Sequence, residues 1–528
     1  MTRAAKRPAR SSTSTSNSSP ARSGAGNRTR TERGPGSLAN TATRTAGRST
    51  GAKAARGARP ARQSAAAASE QPYSYRAPAP AATQSPAPQQ RAALDGRTRA
   101  SAEGEPAPTQ RFNKLLLDAS AAALAEVLAF DTPADRVLSR FFREHPKLGQ
   151  NDRSAISETI YAVLRRKRLL DALIGASGGR RLVLAAWLAL RGANLKELQV
   201  LVSEGELGWV SGLKRAVHAP QPYEVDVDLP DWLIERLSTQ HTPEDLLRLA
   251  KGLQQPAPLD LRVNLIRITR EEALAQLNAA GFLAQPTPYS PAGIRLVGKP
   301  AINRHPLFVE GLLEVQDEGS QLIAWLMAPQ RSDMVVDFCA GAGGKTLALG
   351  MLMRSTGRLY AFDVSDHRLA ALKPRLARSG LSNVHPQRVD SERDPRIGRL
   401  AGKIDRVLVD APCSGLGTLR RNPDLKWRQK PGDVQEMVAK QTRILASAAR
   451  LPRVGGRLVY ATCSLLAEEN RGVVDAFLAA HPDWHLVPAS EVLGAARIPL
   501  PEGTGDCLEL RPDLHGTDGF FAAVLERR

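Results

Sequence analysis

The sequence predicts an α/β protein: a doubly wound, mostly parallel sheet over residues 331–528, preceded by a small α+β lobe and an all-helical segment. Three observations carry this. From residue 331 onward, apolar strand-like runs alternate with helical stretches every 20–30 residues. The runs end in acids: Met334-Val335-Val336 in Asp337, Leu359-Tyr360-Ala361-Phe362 in Asp363, Val389 in Asp390 and Val407-Leu408-Val409 in Asp410. A glycine-rich loop, Gly341-Ala342-Gly343-Gly344, follows the first of them. Ligands of such sheets lie outside the carboxyl ends of the strands, so the four acids are expected along one rim.

The segments before the sheet differ in composition. Residues 1–110 hold 18 Lys and Arg against 5 Asp and Glu, with Ser, Thr, Ala, Gly and Pro making up most of the rest. Such a segment buries too little apolar surface to offset the entropy of ordering, and disorder is expected. It has no hydrophobic stretch of the kind a secretory signal needs. It reads as a basic arm that binds RNA phosphates without sequence preference or as a solubilising extension, and its Arg- and Ser-rich, acid-poor composition also describes an organellar transit peptide. The whole chain carries +20, of which this tail supplies +13, so the charge says little about the folded part.

Residues 111–215 read as helical. Ile156, Ile160, Val163 and Leu164 fall on one helix face behind the cap-like Asn151-Asp152. Pro133, Pro146 and Ser177-Gly178-Gly179 divide the stretch into short helices. The cluster Arg165-Arg166-Lys167-Arg168 is either a phosphate contact or a solvated helix end favoured by the dipole. Residues 216–330 form the α+β lobe, with strands at Leu259–Asn264 and Gly293–Val297 and a helix after Thr269.

Several classes are excluded. Four cysteines (339, 413, 463 and 507) without a CxxC pair do not make a disulfide framework, and a reducing, cytoplasmic compartment is expected. Nor do they suit zinc, being separated by gaps of 74, 50 and 44 residues without paired histidines, so no metal is expected. The longest apolar run, Leu182–Leu190, is far short of the roughly 20 residues a membrane helix requires.

The glycine loop and the thiols indicate chemistry. Gly344-Lys345-Thr346 mimics the end of a P-loop, but Cys339 stands where that motif needs glycine. Asp363 comes 20 residues after Gly343, as expected for an acid on ribose hydroxyls. Nothing downstream suggests hydride transfer, and adenosylmethionine, with ribose and amino-acid groups but no pyrophosphate, explains the set better than a dinucleotide. Cys413, in Asp410-Ala411-Pro412-Cys413-Ser414-Gly415, and Cys463, in Tyr460-Ala461-Thr462-Cys463-Ser464, both follow strand-like runs. A thiolate that adds to C6 of cytosine makes C5 nucleophilic enough to accept a methyl group. One thiol suffices for attack, and a second helps expel the enzyme from its adduct. Cys339 and Cys507 read as small buried hydrophobes.

At these residues the chain resembles the NOL1/NOP2/Sun family of RNA 5-methylcytosine methyltransferases, in its small-subunit rRNA methyltransferase B-like branch. The resemblance runs from Gln316-Asp317-Glu318-Gly319-Ser320 through the glycine loop and Asp410–Gly415 to Arg420–Trp427. It continues through Thr462-Cys463-Ser464, Glu468-Glu469-Asn470 and Thr517-Asp518-Gly519-Phe520-Phe521. It implies a Rossmann-like class I methyltransferase domain, a NusB-like helical RNA-binding domain and an RNA-positioning lobe between them. It implies Cys463 as nucleophile and Cys413 as the residue of product release, a choice that chemistry alone leaves open. Cys339, Ala340, Gly341, Ala342, Gly343, Gly344 and Lys345 would hold S-adenosylmethionine mainly through backbone, with Asp363 on ribose, Asp390 near adenine and Asp410 near the methionyl end, where it would also hydrogen-bond the cytosine as a base or orienting group. Lys426 would sit near the RNA or the catalytic loop. The expected partner is RNA, above all small-subunit rRNA, with the chain acting as a monomer away from membranes. Ala342 in place of the family's usual proline and Asp390-Ser391-Glu392-Arg393 in place of its shorter motif are departures.

Overall fold

The computed structural model describes residues 112–175 and 178–528, so the basic 1–110 segment and its RNA-arm reading lie outside the described residues. The helices from Lys114–Val127 to Glu204–Ala216 form the first layer. Ile156, Ile160, Val163 and Leu164 are fully buried on the helix Gln150–Arg165. The cap of that helix is Gly149, two residues before the cap-like Asn151. The Gly149 N–H, rather than a group at Asn151, donates to Asp152 Oδ2 at 3.0 Å. Trp187 fills the centre of this layer and donates its indole N–H to Thr159 Oγ1 at 3.0 Å, which satisfies the one polar atom of a large buried ring.

The small lobe is an antiparallel sheet of β1 (Leu259–Val263), β2 (Ala284–Pro286), β3 (Gly293–Leu296) and β4 (Leu313–Val315), in the order β2-β3-β1-β4. The helix Arg270–Ala279 covers it with Ala273 and Leu277. The expected 216–330 lobe contributes to two clusters of buried side chains. Helices Asp231–Ser238 and Pro243–Gln254 turn Leu233, Leu237, Leu246 and Leu249 away from this sheet and onto Leu416, Leu419 and Leu466. The helix Glu318–Leu326 likewise crosses the expected boundary at 330, because Leu322, Ile323 and Leu326 are buried in the core of the larger sheet.

That sheet contains β5 (Met334–Asp337), β6 (Arg358–Asp363), β7 (Val384–Arg388), β8 (Ile404–Asp410), β9 (Pro452–Thr462), β10 (Trp484–Val487), β11 (Cys507–Leu510) and β12 (Phe520–Arg527). The order is β10-β12-β9-β8-β5-β6-β7, with β11 beside β12. Strands β5 to β9 are parallel, and β12 joins β9 antiparallel. The chain builds outward from β5 to β7, then returns to place β8 on the other side of β5. The switch point, where such sheets bind ligands, therefore lies between the ends of β5 and β8.

The helical layer is locked on through the Arg165–Arg168 cluster. Asp228, fully buried, accepts from the Arg168 and Leu169 N–H groups at 3.1 and 3.2 Å and from Arg166 Nε at 3.3 Å. Arg168 donates to the Leu229 carbonyl at 2.8 Å. Arg166 and Arg168 are therefore neither a solvated end nor a free phosphate site. They join two layers. Lys426 belongs to the same joint: its ammonium, buried, donates to the Arg165 carbonyl at 2.9 Å and to Asp228 Oδ1 at 3.2 Å. Burial pushes it down to about 8. It does not stand at the catalytic loop. Lys426→Met should therefore cost roughly 3 kcal/mol, the lower end of the range for a broken buried pair, because Asp228 keeps its other donors. Thermal unfolding should show the loss while calorimetry shows unchanged adenosylmethionine binding; an unchanged midpoint with weakened cofactor binding would move Lys426 into the site.

Candidate active site

The turn from β5 into the helix Gly344–Leu352 carries the glycine loop. Gly341 has φ +55°, and a Cβ built on it meets no atom within 4 Å, so this backbone faces open space. Gly343, at φ +84°, would place a Cβ 2.1 Å from Leu372 Cδ1, and only glycine passes there. Asp363 holds the loop: its Oδ2 accepts the Gly341 N–H at 2.8 Å and its Oδ1 the Ser365 N–H at 2.8 Å. Each oxygen keeps a second lone pair.

Asp337 and Asp410 flank the switch point. Asp337 is buried; its Oδ2 accepts from Thr346 Oγ1 at 2.7 Å, while its Oδ1 has no protein partner. Burial, with the Asp410 carboxylate adding, pushes it up to about 7. Asp410 is one-third exposed and accepts from Lys345 Nζ at 2.8 Å. Burial works against the Lys345 charge, but Asp410 and then Cys463 outweigh it, and the ammonium lies 5.4 Å from the Phe520 ring centre. The Lys345 side chain is thus engaged by protein, where a P-loop lysine would reach for phosphate. Cys339 is pushed well up by burial and the surrounding carboxylates, which suits a wall residue. Open space over Gly341, spare acceptors on Asp363 and an unpartnered oxygen on Asp337 fit a group with hydroxyl and ammonium donors, as adenosylmethionine has.

The two thiols meet. Strands β8 and β9 are adjacent and parallel with Asp410 beside Ala461, so Cys413 and Cys463 leave the same edge a few residues further on. Their sulfurs are 3.3 Å apart, both half-buried, and the Cys463 N–H lies 3.3 Å from Cys413 Sγ. Contact with Cys463, then burial, holds the Cys413 thiol well above its ordinary range. Close packing enforces the approach. The Gly417 N–H donates to the Cys463 carbonyl at 2.9 Å, and a Cβ on Gly417 would sit 2.1 Å from the Gly519 carbonyl oxygen.

A residue not proposed as functional from sequence ties both thiol loops together. Glu469, fully buried, accepts from the Ser414 N–H at 2.8 Å, from Gln441 Nε2 at 2.9 Å and from the Ser414 and Ser464 hydroxyls. Ser414 follows Cys413 and Ser464 follows Cys463, so one carboxylate sets the spacing of both. The repeated Cys-Ser pair was the available signal. Asp390 departs from its expected register. β7 ends at Arg388, and Asp390 lies two residues beyond with its side chain 70% exposed, paired with Arg396 at 3.2 Å. The acid buried in that turn is Asp394, which accepts the Asp390 N–H at 2.9 Å.

A family profile described as 16S rRNA methyltransferase RsmB/F matches residues 324–526, and the ferredoxin-like domain of RsmF/B-like methyltransferases matches 229–303. A probable ribosomal RNA small subunit methyltransferase B of Synechocystis is 32% identical over 443 residues, covering 76% of this chain and 97% of the relative. The chain belongs to the RsmB/F family. It is an adenosylmethionine-dependent RNA methyltransferase of the class I, Rossmann-like fold. The ribosomal RNA small subunit methyltransferase B of Sodalis glossinidius is 36% identical, covering 56% of this chain and 65% of the relative. Among solved structures, a protein designated PH0851 is 26% identical with a TM-score of 0.64, covering 79% of this chain and 99% of that one. A methyltransferase homologue from Pyrococcus horikoshii is 30% identical with a TM-score of 0.50, covering 58% and 98%.

Glu469→Gln keeps the shape but replaces one acceptor oxygen by a donor, leaving donors in the thiol loops without partners. It should lower stability by roughly 1–3 kcal/mol and slow methyl transfer far more than it weakens cofactor binding. Urea denaturation, calorimetry and a transfer assay on the same protein check this; wild-type values in all three would show that the carboxylate does not set the thiol spacing.

Proposed function

We propose that this protein transfers a methyl group from S-adenosylmethionine to C5 of a cytosine in small-subunit, 16S-type rRNA through a covalent bond between Cys463 and C6. The observation that carries the reading is the pair of thiols 3.3 Å apart at the edge of β8 and β9, beside the switch point. The relatives named as small subunit rRNA methyltransferases support the substrate class.

Cys339 to Lys345, Asp363 and Asp410 are the residues that would hold the cofactor. Adenosylmethionine, when bound, supplies an electrophilic methyl group. The protein's own groups divide the remaining work. Two sulfurs this close share one negative charge more readily than two. Contact with Cys463 and burial keep Cys413 protonated, which makes it the hydrogen-bond donor of the pair. The Cys463 thiolate adds to C6 and makes C5 the nucleophilic carbon. Once C5 carries the methyl group, the Asp410 carboxylate takes the C5 proton, the C–H pair forms the C5–C6 double bond and the S–C6 pair returns to the Cys463 sulfur. The Cys413 thiol stabilises the departing thiolate by donating a hydrogen bond to it. Asp410, positioned by Lys345, orients the cytosine through its polar edge. The base must reach this site unstacked, because C6 and C5 have to lie between sulfur and methyl.

The test is labelled methyl transfer to unmodified small-subunit rRNA with wild type, Cys463→Ala and Cys413→Ala. Wild type should make 5-methylcytosine, Cys463→Ala should lose about a thousandfold or more, and Cys413→Ala should accumulate a protein–RNA adduct stable to denaturation. Retained transfer in Cys463→Ala with loss in Cys413→Ala would reverse the roles and overturn the mechanism.

A further inference from the structure

Away from the thiols, a cavity of about 450 Å³ opens where three parts of the chain meet. Tyr161 and Arg165 come from the helix Gln150–Arg165, Pro258 from the residue before β1, Lys299 and Pro300 from the segment after β3, and Arg421 from the segment after Cys413. Its volume is that of a site for a small organic group, and its walls are rings and apolar carbon bordered by cations.

The cations are not equally matched. Arg421 is balanced by Asp317 at 2.8 Å and Asp518 at 2.5 Å, and the neighbouring Arg420 by Asp518 at 3.1 Å. Arg165 and Lys299 pair with no carboxylate within hydrogen-bond reach among the described residues. Arg165 donates one hydrogen bond, to the Arg420 carbonyl at 3.2 Å, and its Nε is buried without a partner. Lys299 is exposed at the cavity rim; partial desolvation and then repulsion from Arg165 and Arg421 lower it from the usual lysine range, against a smaller attraction to Glu158. Unmatched cations at the wall of a partly apolar cavity are stabilised by an anion placed between them. Phosphate supplies that anion, and the prolines and the Tyr161 ring offer a surface for the base attached to it.

We infer that this cavity is a second RNA-binding site, which takes one nucleotide of the substrate strand with its phosphate between Arg165 and Lys299 and its base against Pro258, Pro300 and Tyr161. The inference rests on the RNA substrate proposed above. A nucleotide held there touches the helical layer, the small lobe and the methyltransferase domain together, which registers the strand on all three while its target base occupies the thiol site.

RNA binding measured at several salt concentrations tests this, alongside the maximal transfer rate at saturating RNA. Lys299→Glu should weaken RNA binding about tenfold and reduce the slope of log affinity against log salt by about one, with the maximal rate unchanged. Ala301→Trp, which fills the cavity without changing charge, should weaken binding comparably. Lys196→Glu, an exposed lysine outside the cavity with the same charge change, should stay within about twofold of wild type. Equal weakening by Lys299→Glu and Lys196→Glu, or wild-type binding by Ala301→Trp, would overturn the inference. Tight binding of free cytidine monophosphate with RNA affinity untouched by Lys299→Glu would assign the cavity to a free nucleotide and overturn it as well. The binding measurement does not depend on catalysis. Wild type that binds RNA through this cavity but methylates none would count against the proposed reaction alone.

Discussion

The chemistry of this fold depends on one buried carboxylate. Glu469 is removed from water, which costs several kcal/mol, and the cost is offset because donors from both thiol loops and from the helix Pro431–Ala448 converge on it. Ser414 and Ser464 bring Cys413 and Cys463 with them, and their hydroxyls are themselves 3.1 Å apart. Parallel pairing of β8 and β9 brings the two loops to one edge, but pairing alone leaves several ångströms of freedom in residues beyond the strands. The shared carboxylate and the close approach of Gly417 to Gly519 remove it.

The layers around the site are joined by the same physics at other points. Asp228 caps the helix Lys167–Ile174 and pairs with Arg166 and Lys426, so the helical layer, the helices of residues 223–254 and the segment after Cys413 share one buried acid. Asp317 plays that part between the small lobe and the large sheet: it accepts from Gly319, Arg421 and the Asp518 N–H. The segments on either side of the thiols are thereby fixed to the surfaces proposed to receive RNA, and a strand bound across them stays in register with the reacting sulfur.

What was legible from sequence follows the same division. The ends of β5, β6 and β8 were marked by an apolar run stopping at an acid, and β9 by a run stopping before a thiol. Buried central strands carry that pattern strongly. It fails at β7, an edge strand whose His385, Pro386 and Gln387 are not apolar, so the apolar signal falls on Val389 and the acid after it, Asp390, beyond the strand. The helix of Ile156 to Leu164 was plain from its period. The partners of Arg166, Arg168 and Lys426 were not, because Asp228 lies 60 or more residues from them in the chain and a local reading sees only exposed-looking cations. Glu469 was hidden for the same reason: its burial is made by tertiary contacts, and nothing in its immediate neighbours marks a charged residue as interior.

The central claim is that the sulfur of Cys463 bonds to the base. Small-subunit rRNA carrying fluorine at C5 of its cytidines tests it most directly, because the fluorine cannot leave as a proton does and the adduct persists. After incubation with adenosylmethionine and wild-type protein, digestion and mass spectrometry should find the modified nucleotide on the peptide that contains Cys463. Finding it on the peptide that contains Cys413, or finding no adduct while methyl transfer to ordinary RNA proceeds, would contradict the account.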